Sequence, residues 1–254
     1  MSQSGAAQFS DHFSSVAAQY AASRPRYPDR LFALLADRAP SRGLVWDAGC
    51  GSGQAAVGLS EYFDQVIATD ASAEQIAHAD ARPNITYSVA GETNPAIADA
   101  SVDLVTVAQA VHWFDRPAFF REVARVLAPG GLLAVWAYEL AEIDPAVDAV
   151  VLPWYRDTLG ADWPAERQLI ENGYRTISFP YETQPLPILS MRAAWSRDQL
   201  LAFFGTWSAV KRYRQRVGRD PLDLVLPGLV SAWPHNEARE VNWPLTLLIG
   251  GPTR

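Results

Sequence analysis

One cysteine is all that this 254-residue chain contains. A lone thiol, Cys50, forms no internal disulfide and offers no CxxC pair for a metal or a redox couple. Histidine is nearly as scarce. His12, His78, His112 and His235 are dispersed without HExxH or comparable ligand spacing, so no metal is expected. Positive charge is short too: 21 lysines and arginines face 28 aspartates and glutamates, a net charge of −7. That balance argues against nucleic acid as a partner, because polyanion binders cluster their cations. The nearest thing to such a cluster, Lys211, Arg212, Arg214, Arg216 and Arg219, has helical spacing that spreads it around a solvated face. Also missing are an apolar run of roughly 18 residues and a basic stretch leading into one, so no membrane partner is expected and the default location is the cytoplasm.

What is present is an ordinary globular balance, 49% hydrophobic and 19% charged residues, long enough to bury a substantial core. Leu31 to Arg38 reads as an amphipathic helix ended by Pro40 and Gly43. Strands near 44–47, 65–69, 85–89, 102–107 and 131–138 then alternate with helices near 54–63, 72–79 and 117–127. That rhythm implies parallel β-α-β units with helices on both faces, a doubly wound, mostly parallel α/β sheet. Apolar stretches such as Leu104–Val107 and Leu132–Trp136 suit strands buried on both sides. Beyond Tyr138 the texture changes to helical segments rich in tryptophan and proline, near 144–160, 164–174, 196–217 and 220–233. Strands near 176–182 and 240–249 would complete a seven-stranded sheet, with a helical cap inserted after strand five. The expected organisation is a single domain: a lid segment over 1–28, a core over 29–140 and 176–254, and a cap portion over 141–175.

The informative segment is Val45-Trp46-Asp47-Ala48-Gly49-Cys50-Gly51-Ser52-Gly53, where a buried strand turns into a helix. Glycines there permit positive φ and close approach of a ligand to the backbone, and the following helix presents unpaired N–H groups. The next strand ends in Asp70, placed to accept hydrogen bonds from a ribose diol. Two cofactors fit this much. Read from Gly51 to Ala56 the loop is a passable GxGxxA dinucleotide fingerprint, which would make the chain an NAD-dependent oxidoreductase. Asp47 points the other way. Its carboxylate would repel a pyrophosphate by several kcal/mol if poorly screened, and would welcome the ammonium of a methionine moiety.

The segment resembles motif I of the class I S-adenosylmethionine-dependent methyltransferases. Val89-Ala90-Gly91-Glu92 with Pro95 is similar to their adenine-contacting turn after the third strand. Ser101-Val102-Asp103-Leu104-Val105 resembles motif IV, and Glu122 to Gly131, with Arg125 within it, looks like the helix and turn before the fifth strand. Tyr20 to Pro28, Ala110 to Asp115 and Thr206-Trp207-Ser208 are similar to the branch that includes trans-aconitate methyltransferase and related small-molecule enzymes. One departure stands out: the acidic position after Pro95 falls one residue late, at Asp99, with Ala96 where a larger apolar residue is common.

The resemblance implies a Rossmann-like methyltransferase fold and S-adenosyl-L-methionine as cofactor, held by Tyr20, Arg24, Asp47, Gly49, Gly51, Gly53, Asp70, Gly91, Glu92 and Gln109. Arg24 would pair its guanidinium with the cofactor carboxylate. Tyr27, His112, Trp113 and Trp207 would meet the substrate, a small-molecule acceptor, and His112 is the candidate catalytic group, able to take a proton or position a carboxylate. Methyl transfer from a sulfonium needs alignment more than acid–base help, so a base is not required. A non-catalytic protein that binds the same cofactor is the other alternative, and the protein is expected as a monomer or homodimer.

Overall fold

The structure, a computed structural model, describes residues 25–94 and 96–252. Helix α1 (Asp29–Arg38) comes first, burying Leu31, Phe32, Leu35 and Ala36 on the stripe that the sequence marks. Next come β1 (Leu44–Ala48), α2 (Gln54–Ser60), β2 (Gln65–Asp70), α3 (Ala73–Ala77), β3 (Ile85–Val89), β4 (Val102–Ala108), α4 (Arg116–Val126) and β5 (Leu127–Tyr138). After β5 run α5 (Pro145–Pro153), α6 (Arg167–Glu171), β6 (Leu189–Trp195), α7 (Arg197–Gly205), α8 (Ser208–Val217), α9 (Leu222–Ala232) and β7 (Arg239–Gly250). No helix among the described residues is long and apolar enough to cross a membrane.

The seven strands form one sheet in the order β3-β2-β1-β4-β5-β7-β6. The β1–β2, β1–β4, β2–β3 and β4–β5 pairs are parallel, and β7 runs antiparallel to β5. Chain order reverses across β1 and β4, since β1 continues to β2 on one side and β4 to β5 on the other. In an open α/β sheet the carboxyl ends of the strands at such a switch point frame the ligand crevice. Parallel strands must be covered on both faces, and Val45, Trp46 and Ala48 of β1 and Leu104, Val105 and Val107 of β4 are all buried completely.

Two expectations are corrected. The chain over 176–182 is irregular, and the strand that completes the sheet is β6, some ten residues later. Pro180, Pro185 and Pro187 explain the shift, because proline has no N–H to offer a ladder. The single helix expected over 196–217 is two, α7 and α8, separated where Trp207 adopts extended backbone (φ −67°, ψ 139°). α7 starts in a reciprocal capping box between Ser196 and Gln199.

By contacts the chain divides into two compact units. A sheet unit holds Arg26–Leu140, Glu166–Met191 and the chain from Pro244. A helical unit holds Ala141–Ala165 and Arg192–Trp243. Residues 166–175 thus group with the sheet and 192–243 with the helices. Tyr20 and Arg24, with most of the expected lid, lie outside the described residues, as does Pro95.

Candidate active site

The site in the sheet unit begins where β1 gives out. Gly49, Gly51 and Gly53 all lie in the left-handed region, with φ of 68°, 55° and 85°. At Gly49 a Cβ would sit 2.6 Å from the Ala110 Cβ and 3.0 Å from the Phe114 ring; at Gly53 it would collide with the Tyr87 hydroxyl. Any side chain at either position therefore meets strain and a clash together. Among the described residues, the Cβ of a residue at 51 would meet only the Gln75 side chain, at 3.9 Å, so there is space beside Gly51.

Asp70 spans the turn. Its Oδ2 accepts from the Gly51 N–H at 2.8 Å and its Oδ1 from the Ser72 N–H at 2.8 Å. The Asp70 carbonyl accepts from the Ala90 N–H at 3.0 Å, which ties the end of β2 to the loop carrying Gly91 and Glu92. Gly91 is exposed, with nothing among the described residues within 4 Å of where a Cβ would project.

Asp47 is the anomaly of the core. It is wholly buried; its Oδ1 accepts from the Thr106 hydroxyl at 2.8 Å, and its Oδ2 has no hydrogen-bonding partner among the described residues. Burial pushes its pKa up to about 7, outweighing the lowering effects of the Thr106 hydroxyl and the Ala56 N–H. The neighbouring Asp70 adds to the rise. A buried carboxylate with one idle oxygen costs free energy unless something cationic or a donor meets it.

Gln109 follows β4 with φ of 57°, unusual for a residue with a side chain. Its N–H donates to the Trp136 carbonyl at 2.9 Å and its side-chain amide to the Tyr138 carbonyl at 3.2 Å, bonds that hold the strained turn against β5. Beyond it His112 is 6% exposed, with Nδ1 3.1 Å from the Tyr174 hydroxyl. Burial, aided by Arg167, lowers its pKa to about 4, so the imidazole is neutral near pH 7. Trp113 beside it is 58% exposed, a rare position for an indole.

Tyr27 is in the core, its ring edge-on to Trp136 at 5.5 Å and to Phe32 at 6.4 Å. Burial and neighbouring acids, Asp47 among them, hold its phenol protonated. Trp207 belongs to the helical unit, where its ring meets Trp154, Tyr155, Trp163, Phe203 and Phe204 at centroid distances of 4.5 to 6.0 Å. The sheet unit thus brings Asp47, the three glycines, Asp70, Gly91, Glu92, Gln109, His112 and Trp113 to strand ends and the loops that follow them.

Sequence reasoning missed Thr106, Tyr87, Tyr174 and Arg167. Thr106 had a signal, as the one polar side chain in the Leu104–Ala108 stretch of β4. Tyr174 had none, since 62 residues separate it from His112.

The geometry accommodates S-adenosylmethionine: an idle buried carboxylate oxygen suits an ammonium, and the space beside Gly51 suits close approach of a ligand. Residues 46–135 match the methyltransferase-domain family. A provisionally assigned methyltransferase of Dictyostelium discoideum is 31% identical over 250 residues, 95% of each chain. The chain belongs to the class I S-adenosylmethionine-dependent methyltransferases. The structure of a provisionally assigned type II methyltransferase from Anaeromyxobacter dehalogenans superposes on this methyltransferase with a TM-score of 0.85 at 44% identity, covering 89% of this chain and 97% of that one. A provisionally assigned S-adenosylmethionine-dependent methyltransferase of Saccharomyces cerevisiae is 30% identical over 156 residues, 56% of this chain and 54% of its own. The methyltransferase is therefore an enzyme that uses S-adenosylmethionine.

Proposed function

We propose that this methyltransferase passes a methyl group to a small-molecule acceptor, with the cofactor lying along the carboxyl ends of β1, β2 and β4. The observation that carries the placement is the idle, buried Oδ2 of Asp47 at the end of the strand that leads into the glycine turn, where space opens beside Gly51. Asp47 would receive the cofactor's ammonium, Asp70 its ribose diol, and Gly49, Gly51 and Gly53 its close approach. Gly91 and Glu92 would meet the adenosine end, and Gln109 would present backbone at the far side. Tyr20 and Arg24 are proposed as lid residues on resemblance alone.

When bound, the cofactor supplies an activated sulfonium methyl, open to in-line displacement by a nucleophile. The residues around it align the acceptor and exclude water, which can contribute roughly 7 to 11 kcal/mol without any base. A histidine with a pKa of about 4 is a poor proton acceptor from a phenol or alcohol. His112 is therefore assigned as a neutral hydrogen-bonding partner for an acceptor whose nucleophile already lacks its proton, such as a carboxylate or a heterocyclic nitrogen. Trp113 would form the exposed wall of that pocket, with Tyr27 behind the cofactor as packing. Net negative charge and the scatter of its cations favour a small acceptor over a polyanion.

Calorimetric titration with S-adenosylhomocysteine tests the placement. Micromolar binding that falls by at least about 100-fold in Asp70→Ala is expected, and an unchanged affinity in that variant would remove the proposed site. Methyl-labelled cofactor offered with carboxylates, phenols, heterocycles, thiols, RNA and protein then tests the acceptor, and label in macromolecules alone would overturn the small-molecule reading.

A further inference from the structure

The loop between β3 and β4 borders the proposed cofactor site and has little regular structure, yet one arginine on α4 binds it at several points. Arg125 uses all five of its N–H donors. Nε donates to Glu122 Oε2 at 3.0 Å, and Nη2 to Glu122 Oε1 at 2.7 Å and to the Asn94 carbonyl at 3.2 Å. Nη1 donates to the Ile97 carbonyl at 2.8 Å and to the Asp99 carboxylate. Glu122 Oε1 accepts in turn from the Asn94 N–H at 3.0 Å. The helix backbone continues the fastening, with Ala100 N–H on the Arg125 carbonyl at 2.9 Å and Ser101 N–H on the Val126 carbonyl at 2.8 Å.

These contacts go mainly to backbone groups of a loop that no strand or helix satisfies, the places where a mobile loop is otherwise held by water. Asn94 and Ile97 are buried at the same points, 7% and 3% exposed. At its start the loop is tied to β2 through the Ala90 N–H and the Asp70 carbonyl. Gly91 and Glu92 therefore hang between two anchored ends. The fifth bond goes to Asp99, the acidic residue that falls one position late after Pro95.

We propose that Arg125, seated by Glu122, is a positioning residue for the cofactor: it pre-orders the loop carrying Gly91 and Glu92, and so sets affinity for the adenosine end without touching the ligand. The inference rests on the reading that this loop faces adenosine. Ordering a loop before binding removes that cost from the binding step. A lysine keeps the charge and lacks the planar fork that reaches two carbonyls and two carboxylates at once.

The test compares S-adenosylhomocysteine and adenosine as ligands of the full chain. Arg125→Gln is expected to weaken both by the same factor, about tenfold to thirtyfold, with faster amide exchange confined to residues 91–99 in the free protein and restored by S-adenosylhomocysteine. Asp99→Asn, at a partner 77% exposed, changes either affinity by less than about threefold. Asp47→Asn is the contrast, weakening S-adenosylhomocysteine and sparing adenosine, which has no ammonium. If Arg125→Gln does not fold, Arg125→Lys takes the same measurements and the same expectation. Affinities within twofold of the parent despite faster exchange at 91–99 overturn the proposal. So does a loss restricted to S-adenosylhomocysteine, or faster exchange throughout the sheet unit. Asp70→Ala separates the failures: if it binds normally the site reading is wrong, and if it alone loses binding only the role of Arg125 is.

Discussion

Asp47 in the sheet unit and Asp162 in the helical unit are both buried carboxylates, 0% and 4% exposed. Asp162 gives one oxygen to Arg216 Nε at 2.9 Å and the other to Nη2 at 2.6 Å, a two-point pairing that holds its carboxyl below the usual range. Asp47 has one hydroxyl, no cation among the groups that shift it, and an oxygen to spare. The contrast extends to what surrounds them. Trp207 of the helical unit is the hub of an aromatic cluster that reaches Trp195 and Trp243 through Phe203. At the sheet unit's strand ends are strained backbone, the glycine turn and the idle Asp47 oxygen, although buried polar atoms without a partner among the described residues occur in both units, Arg197 Nε, Asn242 Oδ1 and Trp243 Nε1 in the helical one. A buried carboxylate paired at two points contributes to the fold, whereas one with an idle oxygen costs free energy until a donor or cation meets it.

The largest expected effect tests the helical side. Trp207→Ala removes a ring shared by five neighbours and should cost about 3 kcal/mol or more of stability, read as a lower Tm. Affinity for S-adenosylhomocysteine, which on this account depends on the sheet unit's own residues, should stay within twofold. A variant with a normal Tm and no turnover would instead make Trp207 part of a substrate cage, as its sequence context suggests.

Next in size is the pair of carboxylates themselves. Asp47→Asn should weaken S-adenosylhomocysteine by about 100-fold while raising the Tm at pH 8, because an unpaired buried charge is removed. Asp162→Asn should do the reverse, lowering Tm with affinity unchanged. If both variants lose stability and keep affinity, Asp47 is only another core carboxylate and the contrast collapses.

Much of this was legible because it is local. The glycine turn, Asp47 and Asp70 fall at the ends of strands that hydrophobic runs define, and the structure places them there. Their partners were not legible in the same way. Thr106 meets Asp47 across 59 residues, and Tyr174 meets His112 across 62, so no periodicity links either pair. Arg125 sat in plain view within a recognised segment, but its five bonds depend on how the loop over 94–99 folds back on α4. The strand expected over 176–182 failed for a different reason: apolar content was read without the prolines beside it. Trp207 shows a third limit, since a tryptophan in a helical stretch looks alike whether it breaks the helix or continues it.

The smallest expected effect is the most specific to Asp47. Its pKa of about 7 lies above the ordinary value of 3.8, so its proton stabilises the fold fully below pH 3.8 and that contribution is lost as pH rises through 7. A cofactor ammonium needs the unprotonated form, so affinity runs the opposite way. The acids that face Asp47, namely Asp70 beside the turn, Tyr27 behind it, and Cys50 and Tyr87 along it, add no positive charge to offset this. Binding of S-adenosylhomocysteine should weaken about tenfold from pH 8 to pH 6, and Asp47→Asn should flatten that slope. His112 contributes in another window. Its pKa is lowered from 6.5 to about 4, so its share of stability is present above 6.5 and is lost as pH falls through 4. In Asp47→Asn the Tm should therefore rise between pH 4 and 6.5 without the opposing term. A binding slope that persists in Asp47→Asn would move the proton to another group and leave the idle oxygen without a role.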